Sequence, residues 1–195
     1  AVTHRLFDML NVRYITTMPD RTPDTDRFTR VADAELSIWE NPRALGRAWM
    51  VGRYERIRGL DDAFARLHAP DFDPRQTALL ESEPPPLDPI AARGTATMTA
   101  FTPHRITVEV NTPGPGLLVL PEIAYPGWRA RVDGNVAPVL TANYILRAVP
   151  VPKGQHRVVL DYEPASYRVG LYFSTLALAV MVASLTYRGQ RRKPQ

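Results

Sequence analysis

The residues that most often do chemistry are few and scattered in this sequence. The four histidines, His4, His68, His104 and His156, have no metal-ligand spacing. There is no cysteine, which excludes disulfides, thiolate metal sites and cysteine nucleophiles. No Gly-x-Ser-x-Gly elbow, phosphate-binding glycine loop or His-Glu-x-x-His occurs. We therefore expect no catalytic residue, no metal and no cofactor, and a hydrolase is the least favoured class of function.

Two neighbouring carboxylates, Asp61 and Asp62, are the nearest approach to an acid/base pair. They open a segment with the periodicity of a short helix, in which adjacent side chains point about 100° apart. Such carboxylates do not converge on one substrate atom. The pattern instead favours an acidic cluster that complements the positive end of a helix.

Tyr125, Trp128, Arg129 and Arg131 are the candidate residues for contact with a glycan or a lipid. Aromatic rings stack on sugar faces, and arginines meet anionic polymers or phospholipid headgroups. In the alternative interpretation Trp128 anchors the core and the arginines form a solvated face. The sequence favours this alternative, because Trp128 alternates in phase with Ala130 and Val132.

These candidates lie in a chain whose pattern is mainly β. The strand 128–132 is followed by Asp133-Gly134, a strong signal for a two-residue hairpin turn of type I′. The pattern predicts short helices at 5–11 and 59–67, and it predicts strands at 12–17, 28–31, 36–39, 48–57, 77–81, 95–102, 105–110, 117–123, 136–140, 144–149 and 156–162. The nearly all-apolar strand 117–123 is expected to be buried on both sides. Closely spaced strands of this kind indicate a β-sandwich or jelly-roll-like domain.

Composition divides the chain into five predicted parts. The prolines around Pro84-Pro85-Pro86 predict a stiff extended linker. The parts are an N-terminal α+β portion (1–81), the Pro-rich linker (82–93), a β-sandwich portion (94–166), a transmembrane helix (167–188) and a basic cytoplasmic tail (189–195).

The segment 169–187 decides the expected location, because its 19 residues carry no charge. At about 1.5 Å per residue it spans roughly the 30 Å hydrocarbon core of a bilayer. Arg188, Arg191, Arg192 and Lys193 follow, and the positive-inside rule places them in the cytoplasm and the domain before them outside. The alternative is a buried core helix of a soluble protein.

The net charge of +4 does not predict a nucleic-acid partner. Without the four cations of the terminal segment, the 24 basic residues fall to 20 and equal the 20 acidic ones. A balanced body with a basic tail lacks the broad positive surface that phosphate backbones require.

A set of short motifs resembles the C-terminal region of the YfhO-type bacterial membrane proteins, relatives of the GT-C glycosyltransferases. The motifs are Leu6-Phe7-Asp8-Met9-Leu10-Asn11-Val12-Arg13-Tyr14, Tyr125-Pro126-Gly127-Trp128, Val132-Asp133-Gly134, Ala142-Asn143-Tyr144, Arg147-Ala148-Val149, Val151-Pro152, Gly154, His156 and Tyr162-Glu163-Pro164, followed by the closing apolar segment.

A start at Ala1 is explained by processing or, as the resemblance favours, by excision from a longer polypeptide that carries an N-terminal membrane bundle. The catalytic acid of GT-C enzymes lies in an upstream loop, so no residue here inherits that role, and His156 is expected to be structural. The implied function is that of an accessory, non-catalytic extracytoplasmic domain of a glycosyltransferase-like membrane protein that uses lipid-linked sugars to modify cell-envelope glycopolymers. The expected partners are the bilayer, an upstream transmembrane bundle of the same chain, and a lipid-linked sugar or anionic glycopolymer. The alternative is a membrane-tethered carbohydrate-binding or assembly module without enzymatic activity.

Overall fold

A computed structural model describes the backbone of residues 5–23 and 27–191 and the side chains of residues 6–23 and 27–184. Within these residues the fold is mainly β, as predicted. The strands are β1 (Tyr14–Thr17), β2 (Thr29–Asp33), β3 (Ser37–Glu40), β4 (Trp49–Val51), β5 (Arg53–Arg56), β6 (Thr77–Leu80), β7 (Thr95–Phe101), β8 (Arg105–Thr112), β9 (Gly116–Ile123), β10 (Trp128–Val132), β11 (Asn135–Ala137), β12 (Leu140–Ala142), β13 (Leu146–Val151) and β14 (Gly154–Tyr162). The helices are α1 (Arg5–Met9), α2 (Leu60–His68), a 3-10 helix (Pro89–Arg93) and α3 (Ala165–Arg191).

One layer of the sandwich is an antiparallel five-stranded sheet in the order β11-β10-β14-β8-β7. Its first hairpin turns at Asp133 and Gly134, whose φ angles are 51° and 84°. Two positive φ angles in a two-residue turn define the type I′ geometry that matches the twist of paired strands. The predicted hairpin is therefore confirmed.

The second layer is a six-stranded sheet in the order β4-β9-β13-β12-β6-β5. β4 and β5 stand at opposite ends of this order, although only Gly52 separates them along the chain. The stretch 49–56 thus pairs with β9 through its first half and with β6 through its second half. This double pairing closes the sheet on itself.

Residues 82–93 pack directly on the bend that closes this sheet. A side chain at Gly52 would place its Cβ 2.2 Å from the carbonyl oxygen of Asp88, so only glycine fits beneath the segment. Asp88 N donates to the carbonyl of Pro115 at 2.8 Å, and Asp88 Oδ1 caps the 3-10 helix by accepting from Ile90 N. Strands on both sides of the predicted linker share the six-stranded sheet, so the segment joins two parts of one core.

Two hydrophobic cores lie on opposite faces of β9, as its apolar sequence predicts. Leu117 and Val119 face the first core, where residues of β4, β6, β12 and β13 meet Met9 of α1 and Leu67 of α2. Leu118 and Leu120 face the second core, which fills the space between the two sheets. The four side chains are fully buried, and each contributes the roughly 1.5–3 kcal/mol typical of a buried aliphatic residue.

The N-terminal portion adds a small antiparallel sheet in the order β1-β3-β2 and the helices α1 and α2. Asp8 of α1 ties this portion together by accepting hydrogen bonds from Arg27 and Asn41. The helical prediction for α2 is correct in extent, and Asp62 accepts a hydrogen bond from Arg58 N at its start. Helical spacing places Phe64 and Leu67 on one apolar face of α2. In the structure Ala63 and Leu67 are buried, whereas Phe64 is exposed.

α3 continues from the last strand of the sandwich after only Glu163 and Pro164. The stretch Ala165–Ser184 is long and apolar enough to cross a membrane, and no described residue buries it. This exposure disfavours the alternative of a soluble core helix, because such a helix would be covered by the rest of the fold. α3 runs on to Arg191, past the predicted end at 188, and residues 192–195 of the predicted tail lie outside the described part of the chain.

A candidate binding groove at the base of the C-terminal helix

The segment Tyr125–Pro126–Gly127 carries the chain from one layer of the sandwich to the other, between β9 and β10. The amide of Ala124 just before it donates to the carbonyl of Ile145 at 2.7 Å. Glu163 N donates to the carbonyl of Gly127 at 2.7 Å, which fastens the crossing to the residues that lead into α3.

Gly127 makes this close approach possible. Its φ of +109° is a conformation that residues with a side chain rarely adopt. A Cβ there would also lie 3.0 Å from Tyr162 Cε2 and 3.1 Å from Pro164 Cα. The turn therefore requires glycine for two reasons, its backbone angle and its packing.

An open groove of about 460 Å³ lies where this crossing meets the start of α3. Three of the four predicted contact residues, Tyr125, Trp128 and Arg129, line it. The remaining lining residues are Pro126, Gly127, Tyr162, Glu163, Pro164, Ala165 and Ser166. We call this feature the juxtamembrane groove.

The groove has an exposed polar edge and an aromatic wall that packs against the core. Tyr125 is well exposed, and Arg129 Nε lies 3.4 Å from Glu163 Oε2 in an exposed ion pair. Exposed pairs of this kind contribute only about 0–1 kcal/mol, so the pair opens readily to another partner. Trp128 packs against the core between the sheets, with its ring centroid 5.3 Å from that of Tyr162.

The structure thus confirms Trp128 as a core anchor, in phase with the buried Ala130 and Val132, and also leaves part of the residue on the groove wall. Arg131 lies elsewhere, on the outer face of the five-stranded sheet. Its Nη1 is 3.5 Å from Asp161 Oδ2, and Asp161 also binds Arg105 Nε at 2.5 Å. The hydrogen bond to Asp161 raises the pKa of Arg105. Arg131 does not line the groove.

Behind Trp128 lies a polar pair that the sequence does not predict, the buried Arg147 and the partly buried Glu122. Arg147 is only 4% exposed, and its guanidinium carbon stands 4.1 Å from the centroid of the Trp128 ring. Arg147 Nε and Nη1 and Glu122 Oε2 have no hydrogen-bond partner among the described residues. Burial lowers the pKa of Arg147 and raises that of Glu122, and the attraction between the two opposes both shifts.

A signal for this pair exists in the sequence. Arg147 alternates with Ala148 and is in phase with Val149 and Val151, which point into the core between the sheets. The same phase places Glu122 with Leu118 and Leu120. The pair supports the Trp128 ring from behind by a cation–π contact, which stabilises a desolvated arginine by about 2 kcal/mol.

The groove suits binding better than catalysis. It combines three aromatic residues, Tyr125, Trp128 and Tyr162, with one exposed ion pair, and the described residues contain no cluster of His, Cys, Asp or Glu that could hold a metal ion. A depression of equal volume lies beside Arg56, Ile57, Arg58, Gly59 and Glu81. That depression has no aromatic side chain, so the juxtamembrane groove is the better candidate for a sugar or a headgroup.

His156 has a structural role in the same hairpin that precedes β11. Its Nδ1 lies 2.6 Å from Asp133 Oδ2 and its Nε2 lies 3.1 Å from the carbonyl oxygen of Lys153. Asp133 Oδ1 also accepts from Arg157 N. The ring therefore ties the turn at Asp133 to the start of β14.

Comparison with known proteins gives one match. Residues 90–174 match the model of the family described as bacterial membrane protein YfhO. This range includes the whole groove, Glu122, Arg147 and the first part of α3, and it confirms the predicted resemblance over that part of the chain. No curated protein and no solved structure was found to match.

Proposed function

We propose, from the match of residues 90–174 to the YfhO family of bacterial membrane proteins, that the sandwich is an accessory, non-catalytic extracytoplasmic domain. It serves a glycosyltransferase-like membrane protein that uses lipid-linked sugars to modify cell-envelope glycopolymers. The observation that carries the proposal is the exposed apolar helix α3, which leaves the sandwich directly beside the groove.

The membrane helix supports the proposal through its length and position. The 20 residues of Ala165–Ser184 extend about 30 Å as an α-helix, which matches the hydrocarbon core. Only Glu163 and Pro164 separate this helix from β14, and both also line the groove. A ligand in the groove therefore sits at the height of lipid headgroups.

The proposed orientation follows from the charges after the helix. Arg188, Arg191, Arg192 and Lys193 lie beyond the apolar stretch, and such clusters stay in the cytoplasm. The sandwich then faces the periplasm or the extracellular space. Alkaline phosphatase fused after Gln195 is expected to be inactive, whereas the same enzyme fused before Ala1 is active outside.

The anchoring is tested by removing the helix. A chain that ends at Pro164 is expected to move from the membrane fraction to the soluble fraction. Leu176→Arg, at the middle of α3, costs about 2.5–3.5 kcal/mol of insertion free energy and weakens membrane retention, whereas Leu176→Val leaves it unchanged. Retention of the shortened chain in the membrane fraction would refute the anchor.

The ligand of the groove is tested at Tyr125, because its ring is exposed and its loss leaves the core intact. Tyr125→Ala is expected to weaken binding of a polyprenyl-phosphate hexose in detergent micelles by about 2 kcal/mol, the loss that marks an aromatic hot spot. Tyr14→Ala, at an exposed tyrosine of β1, is the matched control. Equal affinity of the two variants would refute the stacking role.

The open aromatic groove also favours a second candidate, a membrane-tethered carbohydrate-binding or assembly module that works without a catalytic partner. The coding sequence upstream of Ala1 separates the two candidates. About ten or more hydrophobic spans support the first candidate, and a secretory signal peptide supports the second.

A further inference from the structure

The end of the sandwich from which α3 leaves differs from the opposite end in its exposed side chains. β9 and β14 run toward this end, and β10 and β13 start from it. Phe101, Ile123 and Tyr125, which are 49%, 59% and 63% exposed, all stand there at strand ends. Exposed apolar groups gathered at one end of a domain mark an interaction surface.

Arginines frame these apolar residues. The guanidinium carbon of Arg47 lies 4.2 Å from the centroid of the Phe101 ring, and Arg47 Nη2 lies 4.0 Å from Glu122 Oε1. Arg105 and Arg129 complete the frame on β8 and β10. We call this set the α3 end: Arg47, Phe101, Arg105, Ile123, Tyr125 and Arg129.

The charge at the α3 end points outward. The side chains of Arg47 and Arg105 are 53% and 63% exposed, while those of their partners Glu122 and Asp161 are 18% and 14% exposed. These two acids are thus recessed, and their guanidinium partners project away from the sandwich, whereas Arg129 pairs with Glu163, which is itself 43% exposed. Near the middle of β14 and β8, Arg157 and Glu109 are exposed to similar degrees, so their charges compensate at the surface.

We propose that the α3 end docks on an anionic phospholipid bilayer, with its apolar residues in the interface and its arginines on lipid phosphates. The two-residue connection to α3 holds this end against the membrane, so the inference rests on the proposed anchoring. Aromatic and arginine side chains are the types that stand at membrane interfaces. Each basic residue near an anionic surface adds favourable free energy. Docking turns the mouth of the juxtamembrane groove toward the lipid headgroups.

The chain has no cysteine, so single cysteines give unique labelling sites. Phe101→Cys and Ile123→Cys, each labelled with an environment-sensitive nitrobenzoxadiazole dye, are reconstituted as the full chain into phosphatidylglycerol-containing vesicles. We expect blue-shifted emission and quenching by spin-labelled lipid at both sites. Val136→Cys, on the edge strand β11, is 84% exposed and lies level with Val159, three residues before the end of β14. It is the control for a site set back from the α3 end and should emit as in water.

The charge dependence is tested in the same vesicles. Arg47→Gln in the Ile123→Cys background should reduce the blue shift, and Arg157→Gln near the middle of β14 should leave it unchanged. Phosphatidylcholine vesicles should give a smaller shift than anionic vesicles. Shifts of equal size in the two lipids would overturn the choice of an anionic surface.

A failure of the anchoring and a failure of the docking give different results. A chain that does not stay with the vesicles refutes the anchoring itself. A chain that stays with the vesicles while the dyes at 101, 123 and 136 report the same aqueous surroundings overturns only the docking of the α3 end. Circular dichroism of each labelled chain checks that the exposed substitutions leave the fold intact.

Discussion

At the scale of single residues, Gly127 is the position where the groove and the membrane helix depend on one another. Gly127→Ala is expected to lower the free energy of unfolding by about 1–3 kcal/mol, because strained backbone and a crowded Cβ act together. Gly134→Ala is the control: its φ is also positive, but no atom lies within 4 Å of its added Cβ. Denaturant titration in detergent measures both losses, and losses of equal size would contradict the packing argument.

The His156–Asp133 contact predicts a pH dependence. Burial opposes the shift, but hydrogen bonds to Asp133 and to the Lys153 carbonyl outweigh it and raise the pKa of His156. The hydrogen bond from His156, with that from Arg157 N, lowers the pKa of Asp133. A raised histidine pKa means that the stabilisation is complete below about pH 6.5 and is lost as pH rises through the folded-state pKa.

Asp133→Asn separates this charge effect from the turn, because asparagine tolerates the positive φ and keeps the Asn-Gly turn signal. The wild-type melting temperature should fall as the pH rises above about 6.5, and that of the variant should fall less. His104→Gln, at an exposed histidine, should retain the wild-type profile. An unchanged profile in Asp133→Asn would show that the pair does not control it.

Residue types and strand alternation predict part of the juxtamembrane groove. Tyr125, Trp128 and Arg129 were predicted because aromatic and cationic side chains follow a recognisable turn, and the structure gathers them in one groove. Arg131 shares the outer face of β10 with Arg129, so alternation groups the two arginines. Arg131 nevertheless lies outside the groove, because it is two residues farther along the strand, where it pairs with Asp161. Glu122 and Arg147 are in phase with core residues of their strands, so alternation places both side chains on the core side. A charged side chain in a strand is ordinarily expected on the solvent side, and the pair is therefore not predicted from the sequence.

At the scale of elements, the closure of the six-stranded sheet depends on the bend between β4 and β5. Gly52→Ala should lower the free energy of unfolding by about 1–3 kcal/mol, the usual cost of overpacking, because its Cβ would collide with Asp88 and Pro89. Gly46→Ala should cost less, since its nearest atom is Ala48 O at 3.3 Å. Thermal melting of the two variants in detergent tests this difference, and a larger loss for Gly46→Ala would reject it.

The individual strands were predictable and their partners were not. β10, the turn at Asp133–Gly134 and the doubly buried β9 follow from local alternation and turn chemistry. The pairing of β4 with β9 and of β6 with β12 joins residues far apart in the chain, and no local pattern specifies it. The proline-rich segment around residue 85, for which the sequence predicts a stiff linker, joins strands that share one sheet.

At the scale of the whole molecule, the family match covers less than the folding unit. The match begins at residue 90, yet β4 and β6 come from residues before it and border strands within it. A chain of residues 94–195 lacks three strands of the closed sheet and exposes its first core. We expect it to unfold without a cooperative transition, whereas residues 5–195 melt cooperatively. Equal cooperativity would show that the N-terminal portion is dispensable.

The short exit of the chain from the sandwich into α3 has a mechanical consequence. Pro164 packs beside Gly127, and Glu163 N donates a hydrogen bond to the carbonyl oxygen of Gly127. The connection therefore has little freedom to bend. A bilayer thinner than the apolar length of α3 is accommodated by tilting the helix. Because the connection is stiff, that tilt rotates the sandwich with it, and the thickness of the surrounding bilayer sets the angle at which the domain stands.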